Sequence, residues 1–358
     1  MGTLVRRAVF IVLLTLSGCS SLTLPGDPIE AAAREEASID LAATLGSMRP
    51  FSFGTPIATP EWEAAAWRYY GLDHPVPHRF GSLIAPLGDT SPGIPIATHV
   101  YETPDARATI FLVHGYYDHV GIHARTIGEW IQAGYTVVTF DLPGHGLSGG
   151  ERAAIADFAD YASAFTTVIE TCRGEVPEPW VTVAHSTGCA VVLERWMTEG
   201  VAPFERTVFV GPLVRSAYWG LSKFGSVVVG VFTDEVARTP RRDSSDQEFL
   251  RFRTELDPLQ FNSFPLDWFD ALRAWYARFA KTPPIDAKLL VFQGDLDDTV
   301  SWRHNLKKLK EKVPGVEVKI IAGGRHQLLA ETPEFRTPVI EGVFEYLAGA
   351  KKAAVAEE

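Results

Sequence analysis

Short apolar runs alternate with segments of helical periodicity from about residue 92 to residue 347. Continuous apolar runs rich in β-branched residues are typical of parallel strands covered on both faces. They predict strands over 94–100, 108–113, 135–140, 180–183, 206–210, 288–292 and 316–321. Between them, as in 155–169 and 339–347, apolar residues recur at steps of three and four, which predicts amphipathic helices. The alternation predicts an α/β fold with a mostly parallel sheet and helices on both faces.

One long segment, residues 213–284, interrupts this alternation and is rich in aromatic residues. We interpret it as a cap or lid inserted over the carboxyl ends of the strands, where open α/β sheets bind their ligands. Its aromatic side chains either face a lipid-like substrate or fill the core of the cap itself. The core domain then comprises residues 61–212 and 285–350.

The N-terminal residues have the pattern of a secretion signal. Arg6 and Arg7 precede an apolar run, 8–16, that is too short to span a bilayer, and small residues follow. The signal peptide is predicted over 1–18. Residues 19–60, rich in Ala, Ser, Pro and Glu, are either a flexible tether or an arm that packs along the domain.

The four residues LSGC at 16–19 resemble a bacterial lipobox. The resemblance implies that Cys19 is lipidated and becomes the first residue of a mature lipoprotein. Because Ser20 follows where Asp would indicate inner-membrane retention, it also implies an outer-membrane anchor, with the domain facing the periplasm. The alternative is a plain signal peptide cleaved nearby.

Composition narrows the classes of partner. The chain has 358 residues, 46% of them hydrophobic, which is ample for a buried core. Its net charge of −11 argues against nucleic acid as a partner. Beyond Cys19 only Cys172 and Cys189 remain, which allows one disulfide but is more typical of two buried thiols. The sequence contains no metal-ligand cluster and no cofactor motif, and it leaves the oligomeric state open.

The motif AHSTG at 184–188 joins a predicted strand to a predicted helix. Small residues at its two ends, Ala184 and Gly188, allow a sharp turn that exposes Ser186 at the apex. This is the pattern of the nucleophile elbow of α/β-hydrolases. A serine hydroxyl is a weak nucleophile on its own, so the assignment requires a base and an oxyanion hole elsewhere in the chain.

The histidine of this fold follows the serine and the acid along the chain. Two histidines lie beyond the insertion. His304 falls in a lysine-rich helical run, whereas His326 follows the predicted strand 316–321 through a glycine turn, and His326 is the predicted base. His114 and His185 are predicted to be structural.

The acid is predicted in the loop after strand 288–292, which contains three aspartates. Asp297 lies three residues past Gly294, a spacing that resembles the acid loop of α/β-hydrolases, and it is the predicted acid. Asp298 is the next candidate, and Asp295 is expected to cap the turn.

Two backbone amides are candidates for the oxyanion hole. One is that of Thr187, directly after the serine, and the other is that of Tyr116, in the loop HGY after strand 108–113. Residues 117–119 could contact a polar head group or only shape this loop. The stretch DLPGHGLS at 141–148 is predicted to be scaffold, because its glycines have neither P-loop nor dinucleotide spacing.

These motifs, in this order and spacing between about residues 70 and 347, resemble the monoacylglycerol lipase and lysophospholipase branch of the α/β-hydrolases. The resemblance implies a sheet of about eight strands, no cofactor, and hydrolysis of single-chain acyl esters through an acyl-enzyme. Ala184 departs from the glycine usual in this elbow. Three alternatives remain: an aminopeptidase or amidase on the same fold, a non-catalytic lipoprotein that binds lipid or protein, and acyl transfer to an alcohol instead of water.

Overall fold

A computed structural model of the protein describes residues 47–54, 59–88, 93–217, 219, 235–238 and 241–354. The predicted signal peptide and Cys19 lie outside the described residues. Among the residues that are described, no helix is long and apolar enough to cross a membrane.

An eight-stranded sheet forms the centre of the core. Its strands are β1 (His78–Ala85), β2 (Ile94–Tyr101), β3 (Thr109–Val113), β4 (Thr136–Phe140), β5 (Trp180–His185), β6 (Arg206–Val210), β9 (Leu289–Gly294) and β10 (Glu317–Ile321). The order across the sheet is β1-β2-β4-β3-β5-β6-β9-β10, and β2 pairs antiparallel with both neighbours while the pairs from β4 to β10 are parallel. The prediction of a mostly parallel sheet is confirmed.

Along the chain, helices alternate with the strands of the sheet. They are α1 (Glu61–Tyr70), α2 (Ala124–Gln132), α3 (Phe158–Cys172), α4 (Thr187–Glu199), α5 (Gln247–Arg251), α6 (Leu266–Phe279), α7 (Trp302–Lys312) and α8 (Pro333–Ala354). The predicted apolar stripe at 155–169 forms α3, which begins later than the stripe because the Asp157 carboxylate accepts a hydrogen bond from Ala159 N and caps the first turn. Cys172 and Cys189 are both buried and free.

The described part of the 213–284 segment, hereafter the insertion, contains its own small elements. Strands β7 (Glu235–Ala237) and β8 (Ser263–Pro265) form an antiparallel pair, and α5 continues through a π-helical turn, Phe252–Leu256. Four large aromatic residues of α6 are less than 5% exposed: Trp268, Phe269, Trp275 and Phe279. A good part of the aromatic content therefore fills the interior.

Residues 47–54 pack along the edge of the sheet. Phe51 N donates to Ser82 O at 2.9 Å, and Ser82 N donates to Arg49 O at 2.8 Å. A Cβ on Gly81 would lie 2.7 Å from the Phe51 backbone, so the close approach depends on glycine. Residues 19–60 were interpreted either as a flexible tether or as an arm packed along the domain, and the contacts of residues 47–54 agree with an arm.

Candidate active site

Ser186 occupies the turn between β5 and α4. Its φ of 51° and ψ of −113° are unfavourable for a residue other than glycine, and such strain persists only where the surroundings hold it. Gly188 permits the turn, because a Cβ there would lie 2.3 Å from Val113 O. Ala184 is completely buried in the elbow, so its additional methyl group is accommodated.

The structure brings together the side chains of the three predicted catalytic residues, Ser186, Asp297 and His326. His326 Nε2 lies 2.9 Å from Ser186 Oγ, and His326 Nδ1 lies 2.8 Å from Asp297 Oδ2. The Gln293 side-chain amide also donates to Oδ2 at 3.0 Å, and the backbone amides of Thr299 and Val300 donate to Oδ1. The carboxylate is therefore fixed from both sides and holds the imidazole toward the serine.

Burial and charge act in opposite directions on the two ionisable groups. Burial lowers the pKa of His326, but the Asp297 carboxylate raises it by more, with help from Asp243 and Asp118, and it lies above the ordinary histidine value. Burial raises the pKa of Asp297, but His326 and the Gln293 amide lower it by more. The pair therefore favours an ionised carboxylate beside an imidazole of increased basicity.

The competing candidates lie elsewhere. Asp298 is exposed, and Asp295 Oδ1 accepts a hydrogen bond from Gly323 N at 2.7 Å, which supports the turn before His326. His304, on α7, lies 3.2 Å from the hydroxyl of Tyr276 on α6. Within the described residues, none of these three side chains makes a hydrogen bond to Ser186.

The two predicted oxyanion donors stand beside the elbow. Within the described residues, neither the Tyr116 amide nor the Thr187 amide donates a hydrogen bond to protein. A Cβ on Gly115 would lie 3.1 Å from Ser186 Cβ, which shows how closely this loop approaches the serine. The two amides are thus available to a substrate oxygen.

A buried hydrogen-bond network that the sequence did not predict supports the backbone of the loop that carries His326. Asp118 Oδ2 lies 2.9 Å from His185 Nδ1, and His185 Nε2 lies 3.3 Å from the backbone oxygen of His326. Gln327 Nε2 donates to Asp118 Oδ1 at 3.0 Å. Although burial raises the pKa of Asp118, its histidine neighbours lower it by more. Of the two options for residues 117–119, Asp118 follows that of loop structure.

The remaining motifs form the scaffold of the site. His114 Nε2 accepts a hydrogen bond from Leu142 N at 2.9 Å, and the Asp141 carboxylate accepts hydrogen bonds from Val120 N and Leu147 N. These bonds tie the loop at 141–148 to the loop after β3. His114 and the stretch 141–148 were both predicted to be structural.

Arg241 and Asp243, in the middle of the insertion, are attached to the loops that carry the predicted acid and the predicted base. Arg241 Nη1 donates to Asp298 O of the acid loop at 2.7 Å, and Gln327 N of the base loop donates to Asp243 O at 2.8 Å. The Asp243 carboxylate itself accepts hydrogen bonds from the two terminal guanidinium nitrogens of Arg253, Nη1 and Nη2, at 2.8 and 2.6 Å. No sequence pattern indicates these contacts, since they join residues far apart in the chain.

The arrangement can move a proton from Ser186 to His326 while Asp297 stabilises the imidazolium. The serine oxygen becomes a nucleophile, and the Tyr116 and Thr187 amides can stabilise the negative charge that develops on a carbonyl oxygen.

Comparisons with known proteins point to the same fold. The chain is 24% identical to the human monoglyceride lipase, over 67% of this chain and 82% of that protein. It is 30% identical to a monoacylglycerol lipase of Mycolicibacterium smegmatis over 133 residues, which span 36% of this chain and only 46% of that enzyme. The crystal structure of the Paleococcus ferrophilus monoacylglycerol lipase superposes with a TM-score of 0.62 at 22% identity, over 71% of this chain and 99% of that one.

A family model described as serine aminopeptidase, S33, matches residues 104–333. The match contains β3, the elbow, the acid loop and the base loop, and it covers more than half of the chain. The fold and the relatives agree with it. The protein therefore belongs to the serine aminopeptidase S33 family of the α/β-hydrolase superfamily.

Proposed function

We propose that the protein is a serine hydrolase that cleaves single-chain acyl esters, with monoacylglycerol or lysophospholipid as substrate. The observation that carries the proposal is the continuous contact from Asp297 through His326 to Ser186, at 2.8 and 2.9 Å. Beside it lie the Tyr116 and Thr187 amides, which donate no hydrogen bond to any described residue. The relatives that are named as monoacylglycerol or monoglyceride lipases favour this substrate class.

In the proposed reaction, Ser186 Oγ attacks the ester carbonyl carbon while His326 Nε2 takes its proton. The oxyanion accepts hydrogen bonds from the Tyr116 and Thr187 amides. His326 then gives the proton to the leaving alcohol oxygen, which leaves an acyl group on Ser186. Water loses a proton to His326, attacks the acyl group and releases the fatty acid, and the proton returns to the serine.

A fluorophosphonate probe and a substrate screen test the proposal. We expect wild-type protein to be labelled and to hydrolyse monoacylglycerols or lysophospholipids of some chain length. Ser186→Ala removes both signals, while Ser301→Ala, which only loses a hydrogen bond to Ser216 O, retains them. Equal labelling of wild type and Ser186→Ala would refute the serine assignment.

An aminopeptidase is the second candidate, favoured by the description of the matched family. Capture of a substrate ammonium group requires an available carboxylate. Among the acidic residues of this segment, Asp243 is not available because Arg253 occupies both of its oxygens, and Asp234 lies outside the described residues. Hydrolysis of aminoacyl anilides without hydrolysis of acyl esters would reverse the order of the two proposals.

We also propose that lipidation at Cys19 anchors the enzyme to the bacterial outer membrane, facing the periplasm. The LSGC motif at 16–19 supports this proposal. Growth with an alkyne fatty acid should label the wild type, but not Cys19→Ser, and the variant should lose its membrane association. Labelling of both proteins would refute lipidation at this residue.

A further inference from the structure

Two adjacent tyrosines on the oxyanion loop contact the insertion. The ring of Tyr116 stacks on Trp268 of α6, with centroids 4.0 Å apart and planes inclined by 24°, and meets Phe264 of β8 edge-on at 6.0 Å. On the core side, the Tyr116 hydroxyl donates to Ala153 O at 2.6 Å. The residue whose amide is offered to the oxyanion is therefore held between the insertion and the core.

Tyr117 is held even more closely. Its hydroxyl donates to Ser263 O of β8 at 2.8 Å, and the Arg238 guanidinium lies 3.8 Å from the centroid of its ring. The Gln260 side-chain amide donates to Tyr117 O at 3.0 Å. Both the side chain and the backbone of Tyr117 are thus fixed by residues of the insertion.

These contacts hold a strained backbone. Tyr117 has a φ of 64°, in the left-handed region that a residue other than glycine rarely adopts. Such a conformation persists only where surrounding contacts determine it. Because Tyr117 directly follows Tyr116, relaxation of its φ would turn the peptide group beside the oxyanion donor.

We propose that Tyr116 and Tyr117 are positioning residues through which the insertion sets the geometry of the oxyanion hole. When Trp268 and β8 are seated, the Tyr116 amide points at the substrate oxygen; when they are displaced, Tyr117 relaxes and the donor turns away. The inference rests on the proposed acyl-transfer function, and it concerns any ester that this serine attacks, whatever its chain length.

A pair of small esters separates this role from simple packing. In a 4-nitrophenyl ester the negative charge develops on oxygen, whereas in the matching thiono ester it develops on sulfur, which accepts hydrogen bonds weakly. An intact oxyanion hole therefore favours the oxo ester, and loss of donor geometry reduces the ratio of the two kcat values. A change in packing alone affects both esters alike.

The test variants are Trp268→Leu, which removes the stacked ring, and Tyr117→Phe, which removes a single oxygen and leaves the fold intact. Each has a matched control on α6. Trp275→Leu removes another buried indole, one that stacks on Phe158 and Phe279, and Tyr276→Phe removes a hydroxyl that contacts His304.

We expect both test variants to lose roughly tenfold or more in kcat for the oxo ester, a fraction of the 10²–10³-fold that loss of one donor costs. KM and the thiono-ester rate should change little, and the controls should keep the wild-type ratio. Equal losses on both esters, or an unchanged ratio in Tyr117→Phe and Trp268→Leu, would overturn the inference while the hydrolase function stands. A wild type that neither reacts with a fluorophosphonate nor cleaves either ester would instead refute the proposed function.

Discussion

Replacing Gly188 by alanine should move the two oxyanion donors apart. A Cβ at this position would lie 2.3 Å from Val113 O and 2.7 Å from His114 O, at the base of the loop that carries Tyr116. Contacts of this kind do not occur below about 3.0 Å, so α4 and the loop after β3 must separate by roughly 0.7 Å. The neighbouring atoms are backbone and cannot rotate away.

The expected result follows from this displacement. Reactions in a fixed site lose about 100-fold in rate when a group moves by about 1 Å, so we expect Gly188→Ala to lower kcat by roughly that factor with a smaller effect on KM. Overpacking should also cost about 1–3 kcal/mol in the free energy of unfolding. Hydrolysis of a short 4-nitrophenyl ester and urea unfolding measure the two quantities.

Gly315→Ala is the matched control, because a Cβ there would meet no atom within 4 Å. It should leave both kcat and the free energy of unfolding near their wild-type values. Refutation would come from Gly188→Ala retaining kcat within twofold of wild type. In that case the elbow would not depend on the close approach of α4 to β3.

Three further predictions concern titratable groups. Asp297→Asn should reduce kcat by about 10⁴-fold, because an amide neither orients His326 nor stabilises its charged form; a loss below tenfold would contradict the assignment. In wild type, kcat/KM should fall with decreasing pH through a pKa above 6.5, since the pKa of His326 is raised and only its neutral form accepts the serine proton; a midpoint below 6.5 would contradict this. Burial lowers the pKa of His78 to about 3 and that of His99 well below its usual value, so each binds protons less in the folded state than in the unfolded state. Stability should therefore fall as the pH decreases from 6.5, by about 1.4 kcal/mol per pH unit for each group, and His99→Gln should flatten the dependence; an unchanged slope in urea unfolding would refute this.

The sequence was most informative where periodicity is strong. All seven apolar runs correspond to strands of the sheet. Five of them, β3, β4, β5, β6 and β9, are almost completely buried, and buried parallel strands leave little room for polar residues. The eighth, β1, was missed. Its residues include glycine and polar side chains, since an edge strand is only partly covered. The strands β7 and β8 have only three residues each, too few for a pattern.

The same distinction, between local patterns and contacts made only on folding, separates the site residues that were predicted from those that were missed. Ser186, Asp297 and His326 were predicted because each follows a strand at a characteristic turn, in a fixed order along the chain. The Asp118 network was missed, since it depends on contacts with His185 and Gln327 that only the folded chain creates. No local pattern reports a distance between such residues.

The attachment of the insertion to both triad loops has a consequence for chimeras that exchange lids between enzymes. In the stretch from 241 to 257, the Arg241 side chain donates to Asp298 O, Asp243 O accepts from Gln327 N, and Asp243 pairs with the buried Arg253. A graft that removes this stretch would loosen the acid and the base together. Chain exchange should therefore be confined to positions before residue 241, with the following segment kept as part of the catalytic core.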